Sequence, residues 1–135
     1  MSTSEQTKEI LQHYYDGELS RKESWQSLLS DDIMLTGTVA QESRGKELFV
    51  NNNFFKMVKS LHVKQMIVEN ENACAVVSYD LVSPTGTHFS GDVAEIWRVK
   101  DGQLASLAVY FDTAEFQKAV AQSDADLLMR YLIVG

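Results

Sequence analysis

The feature that most constrains this chain is a change of period. Before about Leu61 the apolar residues recur at spacings of three and four; from His62 to Phe111 they alternate with polar ones. Alternation predicts four strands, over residues 62–69, 73–82, 87–100 and 103–111. The segments between them, Asn70-Glu71-Asn72, Ser83-Pro84-Thr85-Gly86 and Lys100-Asp101-Gly102, are too short for crossovers and rich in turn residues, so the strands form an antiparallel meander.

The first half reads as helices. One starts near Ser2 to Ser4, brings Ile10, Leu11, Tyr14 and Tyr15 to one face, and stops at Gly17. A second opens with the capping box Ser20-Arg21-Lys22-Glu23 and buries Trp25, Leu28 and Leu29. Residues 33–36 read as a short strand ending at Gly37. A third helix follows Ser43 to about Leu61, with Leu48, Phe55 and Val58 on one side. Beyond the meander, Asp112-Thr113-Ala114-Glu115 caps a helix carrying Phe116 and Val120, and a last short helix covers residues 125–132. Helices first and antiparallel strands later give the class α+β, with one sheet face under the helices.

Within that sheet, one residue is out of place. Val93, Glu95, Trp97 and Val99 share a face of the third long strand, and three of the four call for burial. The last hairpin decides whether this is the core face. A two-residue Asp-Gly loop sets Trp97 opposite Ser106 and Glu95 opposite Ala108; a three-residue loop with a bulge moves the partners by one and swaps the face. The second pairing groups Glu95 and Trp97 with Ala105, Leu107, Val109 and Phe111, a coherent apolar surface, and is preferred. Two readings of Glu95 then stand. It is satisfied by Arg98, a hydroxyl or a strand end; or it lines a cavity, where an unpaired carboxyl holds its proton to higher pH and can serve as donor or base.

At 135 residues, 44% hydrophobic and 23% charged, the chain is sized for a single domain, residues 1–135. A net charge of −7 without a basic stripe argues against nucleic acid. No apolar run is long enough to span a bilayer and the first residues lack a signal-peptide pattern, so a cytoplasmic protein is expected. His13, His62 and His88 are scattered and Cys74 is single, which predicts neither a metal site nor a disulfide. No phosphate-binding or nucleophile-elbow motif occurs, and no cofactor is expected.

The order of these elements, with "LQHYYDGELS", "LLSDDIMLTG", "SRGKE" and "RVKDGQLASLAVYFDTAEF", resembles the SnoaL-like proteins of the nuclear-transport-factor-2-like superfamily from about Glu5 to Ala121. The resemblance implies a cone: a curved antiparallel sheet packed on N-terminal helices, with a pocket at its open end. Ketosteroid isomerases of this superfamily hold an enolate with a tyrosine and a protonated acid. By that resemblance Tyr14 takes the tyrosine's place and Glu95 the acid's. The place of the general base holds Thr36, Gly37 and Thr38, with no carboxylate. Pocket or core walls are expected from Trp25, Met34, Phe55, Tyr79, Trp97, Val109 and Phe111.

The function expected from all this is binding of a small, mostly apolar molecule, with proton-transfer chemistry of the isomerase, cyclase or dehydratase type on a carbonyl compound. The alternative is a noncatalytic dimeric interaction or regulatory module of the same fold. A homodimer is expected in either case, because Ala94 and Ile96, with Ser106, Ala108 and Tyr110, make the outer sheet face too apolar for solvent. The C-terminal Leu127, Leu128, Tyr131, Leu132 and Ile133 are the competing cover for that face.

Overall fold

The computed structural model describes residues 2–20, 23–37, 43–51, 56–83, 86–112 and 114. In chain order these form α1 (Thr3–Ser20), a 3₁₀ helix (Glu23–Leu28), β1 (Leu29–Gly37), β2 (Ser43–Arg44), α2 (Lys46–Val50), β3 (Val58–Glu69), β4 (Asn72–Val82), β5 (His88–Lys100) and β6 (Gln103–Phe111). The strands make one six-stranded sheet in the order β2-β1-β6-β5-β4-β3. The meander β3 to β6 is antiparallel throughout, and β1 joins it parallel to β6. The architecture is α+β, as the change of period predicts. The helices expected beyond Asp112 lie outside the described residues, as do Phe55 and the C-terminal apolar cluster.

Helix α1 covers the inner face of the sheet with Thr7, Leu11, Tyr14 and Tyr15, all buried, at spacings of four, three and one. Its position is pinned at the β3–β4 turn. Thr7 Oγ1 donates to the Asn70 carbonyl at 2.6 Å, and the Asn70 amide donates to Ser4 Oγ at 2.9 Å. These bonds fasten the first turns of α1 to the β3–β4 turn.

Three expectations need correction. Helix α1 does not stop at Gly17 but runs to Ser20. The glycine serves packing instead: a Cβ there would lie 2.3 Å from the Cβ of Trp25. The second helix is a 3₁₀ turn, and Leu29, assigned to it, opens β1. The third helix is short, since Lys46–Val50 is helical whereas Val58 and Leu61 belong to β3. Val58 and Leu61 pair with Leu81 and Tyr79 of β4, and that sheet contact overrides their helix-compatible spacing.

The β5–β6 hairpin has the preferred register by a different route. Trp97 faces Leu107, Glu95 faces Val109 and Val93 faces Phe111. The loop, however, is the two-residue Asp101-Gly102 turn, with φ of 52° and 77° and Lys100 opposite Gln103. Those two positive φ values are what a two-residue hairpin requires. The shift comes from a bulge, because Val99 pairs with Leu104 but Arg98 with Ser106, leaving Ala105 extra. Leu104, not Ala105, therefore joins Leu107 in the core.

Substituting Gly17→Ala tests the α1–Trp25 contact. In an open helix this change adds stability, by about 1 kcal/mol. Here the new methyl displaces Trp25, and urea denaturation should instead show a loss of about 1–3 kcal/mol.

Candidate functional site

The inner face of the sheet is paved with side chains that follow from the two-residue period: Ala73, Ala75, Val77, Tyr79 and Leu81 on β4, and Val93, Glu95, Trp97 and Val99 on β5, all buried. Glu95 sits between Ala75 on one side and Val109 on the other. It is 4% exposed, the one buried carboxyl among the described residues.

Its oxygens are held by two phenols. Tyr15, from α1, donates its hydroxyl to Oε1 at 2.6 Å, and Tyr79, from β4, donates to Oε2 at 3.0 Å. The indole Nε1 of Trp97 donates in turn to the Tyr15 oxygen at 3.0 Å. An indole can only donate, so this contact orients the Tyr15 proton toward the carboxylate. Burial still dominates. It pushes the Glu95 carboxyl up from 4.5 to about 7, against the opposing pull of the Tyr15 and Tyr79 hydrogen bonds. Near neutrality the group is poised between donor and acceptor.

The tyrosine at Glu95 is Tyr15, whereas the resemblance pointed to Tyr14. Successive helical residues project about 100° apart, so the rotation of α1 about its axis decides which of two adjacent tyrosines meets the sheet's polar group. The Tyr14 ring lies in an aromatic cluster, with centroids 4.7 Å from Trp97, 5.3 Å from Tyr15, 5.4 Å from Trp25 and 6.4 Å from Phe49. Sequence spacing puts Tyr15 on the same helical face as Leu11 and Tyr14 but does not tell which tyrosine meets the acid. It gave no signal for Phe49 in the cluster.

The expected wall residues divide. Tyr79 contacts Glu95, Trp97 contacts it through Tyr15, and Val109 is its cross-strand neighbour. Trp25 is core packing against Tyr14. Phe111 lines a pocket of about 90 Å³ with Leu81, Phe89 and Val93, one inward position along the strands from Tyr79 and Glu95. Met34 stands on the other face of the sheet. It is in register with Ser106 and so with Arg98, while its neighbours Ile33 and Leu35 point inward. An open cleft of about 540 Å³ lies between α1 and β3, walled by Lys8, Gln12, Tyr15 and Asp16 against Val63, Lys64, Gln65 and Met66.

At the place expected for a base, Thr36 and Gly37 carry no ionisable group, and Thr38 lies outside the described residues. Asp31 and Asp32 are exposed. Ser30 donates to Asp32 at 2.8 Å and holds that carboxyl below its ordinary value. Among the described residues no group of three or more His, Cys, Asp or Glu is placed to hold a metal, and no helix is long and apolar enough to cross a membrane.

Glu95 makes stability depend on pH with a definite sign. Unfolded, the carboxyl loses its proton near 4.5; folded, it keeps it to about 7. Between these values the folded state binds more protons, so stability falls as pH rises through the window, by about 3 kcal/mol from this group. Urea midpoints at pH 5 and pH 8 should show wild type losing more stability than Glu95→Gln over that interval.

Comparison with known proteins places the chain in a family and a fold. Residues 11–107 match the SnoaL-like domain family. No curated protein matches the sequence. Among solved structures, a protein from Jannaschia sp. CCS1 that carries the name SnoaL-like polyketide cyclase superposes with a TM-score of 0.77 at 15% identity, covering 91% of this chain and 96% of that one. A Bacillus subtilis protein named as an isomerase gives 0.75 at 16% identity over 91% and 98%. An epoxide hydrolase of M. tuberculosis, described as LEH-like, gives 0.73 at 12% identity over 92% and 96%. At these identities the likeness is one of fold. With the family match spanning most of its length, the chain belongs to the SnoaL-like domain family.

Proposed function

We propose that this chain binds a small carbonyl or hydroxyl compound against Glu95, and that any chemistry it performs is proton transfer of the isomerase, cyclase or dehydratase type. The observation that carries the reading is the buried carboxyl with a hydroxyl on each oxygen. A carboxyl poised near pH 7 in a dry site can donate a hydrogen bond to a developing oxyanion and cost no reorganisation as it does so. Tyr79 and Glu95 have Leu81 and Val93 as their next inward neighbours, and these two line the small pocket with Phe89 and Phe111. That pocket, mostly apolar, takes an apolar part of the ligand and leaves its polar group toward Tyr79 and Glu95. Pockets that enclose a whole small molecule run to about 300–1,000 Å³.

The names of the structural neighbours, an isomerase, a polyketide cyclase and an epoxide hydrolase, span several chemistries, and the fold selects none of them. Steroid isomerisation is the member of this set that the residues argue against. It needs a base opposite the acid, and Thr36 and Gly37 supply none.

A second reading, a noncatalytic dimeric module, draws on the outer face. Ile96 is 46% exposed and Tyr110 49%, with half-buried Ala94 and Ala108 beside them; Ile67, 61% exposed, continues the same face past Cys74. A contiguous apolar surface of this kind calls for a partner, and a twofold copy of the same face is the commonest solution. A dimer accords with both readings, so ligand binding separates them.

A thermal-shift screen of carbonyl compounds against wild type and Glu95→Gln tests the leading reading. Ligands that raise the wild-type Tm and fail to raise that of Glu95→Gln support it; a screen in which no compound distinguishes the two proteins sinks it. A direct assay with a 3-oxo-Δ5 steroid should show no turnover above background. Sedimentation equilibrium at micromolar concentration should give a dimer that Ile96→Lys dissociates.

A further inference from the structure

A carboxyl buried this deeply needs a route by which its proton arrives and leaves. Among the described residues, two cavities lie near Glu95, one beside Val93 and one beside Tyr15. The pocket beside Val93 and Phe111 has a mostly apolar surface, with the exposed Asp92 and Asp112 among its walls, and none of its lining residues belongs to the hydrogen-bonded group formed by Trp97, Tyr15, Glu95 and Tyr79. The cleft between α1 and β3 differs on both counts. Its walls carry Lys8, Gln12, Asp16 and Gln65, and one wall is Tyr15 itself. Tyr15 is thus at once 3% exposed, bonded to Glu95 at 2.6 Å, and part of a surface cleft of about 540 Å³. A polar cleft of that size holds water readily.

We infer that the α1–β3 cleft is the proton inlet of Glu95 and that Tyr15 is its relay. On protonation the Tyr15 hydroxyl passes its proton to Glu95 Oε1 and its oxygen takes one from water in the cleft. On deprotonation both moves reverse, and the phenol is unchanged over the cycle. Trp97 holds the Tyr15 oxygen in line through both moves and gives up nothing. Tyr79 bonds the other carboxylate oxygen but is absent from the cleft wall, so it anchors the acid without exchanging its proton. Of the ionisable groups at the cleft, Lys8 and Asp16 on α1 and Lys64 on β3 stand at the solvent side; Lys64 is also tied to Asp92 at 2.8 Å. The groups that touch the carboxyl itself are the two phenols. The inference holds whether or not the chain is an enzyme.

The test is the rate at which Glu95 gains or loses its proton after a pH jump, followed by the infrared band of its protonated carboxyl, assigned by its absence in Glu95→Gln. Each variant is compared at its own midpoint. Tyr15→Phe should slow the exchange at least tenfold, and Tyr79→Phe should leave it within about threefold of wild type. The exposed Gln12→Trp fills the cleft without touching the acid and should slow exchange by a similar factor to Tyr15→Phe. Wild-type exchange in Gln12→Trp, or equal slowing by Tyr79→Phe and Tyr15→Phe, overturns the assignment.

Discussion

The structure depends on how one carboxyl is kept out of water. Moving an ionised carboxylate into an apolar interior is among the largest local costs a fold can carry, and hydrogen bonds recover only part of it. Here the recovery comes from two tyrosines on separate elements, one on α1 and one on β4, with an indole from the acid's own strand orienting the first. The acid therefore ties helix to sheet. The balance raises Glu95 to about 7, where a carboxyl beside a cation would stay charged well below that value and a carboxyl with no donors would hold its proton higher still.

The surroundings follow from that tie. Placing Tyr15 over the carboxyl requires α1 to lie at a set height along the sheet, which the bonds from Ser4 and Thr7 to the Asn70 turn establish. It also sends Tyr14 into the space between Trp25, Phe49 and Trp97, edge-to-face with both indoles and tilted against Phe49. The missing side chain at Gly17 lets Trp25 reach this cluster. One polar contact and one aromatic cluster share neighbouring residues of a single helix, so neither can be moved alone.

Much of the fold is legible in the sequence because alternation over fifty residues leaves few alternatives. β6 begins and ends where the pattern places it, β4 extends it by one residue, and the inward position of Glu95 follows from grouping the apolar side chains. What the sequence hides has identifiable physical causes. Residues 58–61 suit either a helix or a strand, and only the partner β4 decides. Met34 reads as a wall residue because it is apolar, yet it occupies an odd position between two inward ones. Tyr14 and Tyr15 are one helical step apart, and no local pattern tells which of them meets the acid. A glycine that stops a helix and one that admits a tryptophan look alike in one dimension.

The bulge at Ala105 has a consequence for comparing distant relatives. Side chains along a strand obey parity, and one extra residue inverts it: counted from the Asp101-Gly102 turn, Leu104 and Ser106 fall on the same side, yet Leu104 is buried with Leu107. Two relatives that differ only in whether they carry this extra residue would align residue for residue through the turn and then be out of phase for the rest of β6. Inner and outer surfaces would exchange on paper while remaining fixed in space. In such a strand the unit that is inherited is the phase, and a gap of one residue in an alignment records a change in local winding with the two sides of the sheet conserved.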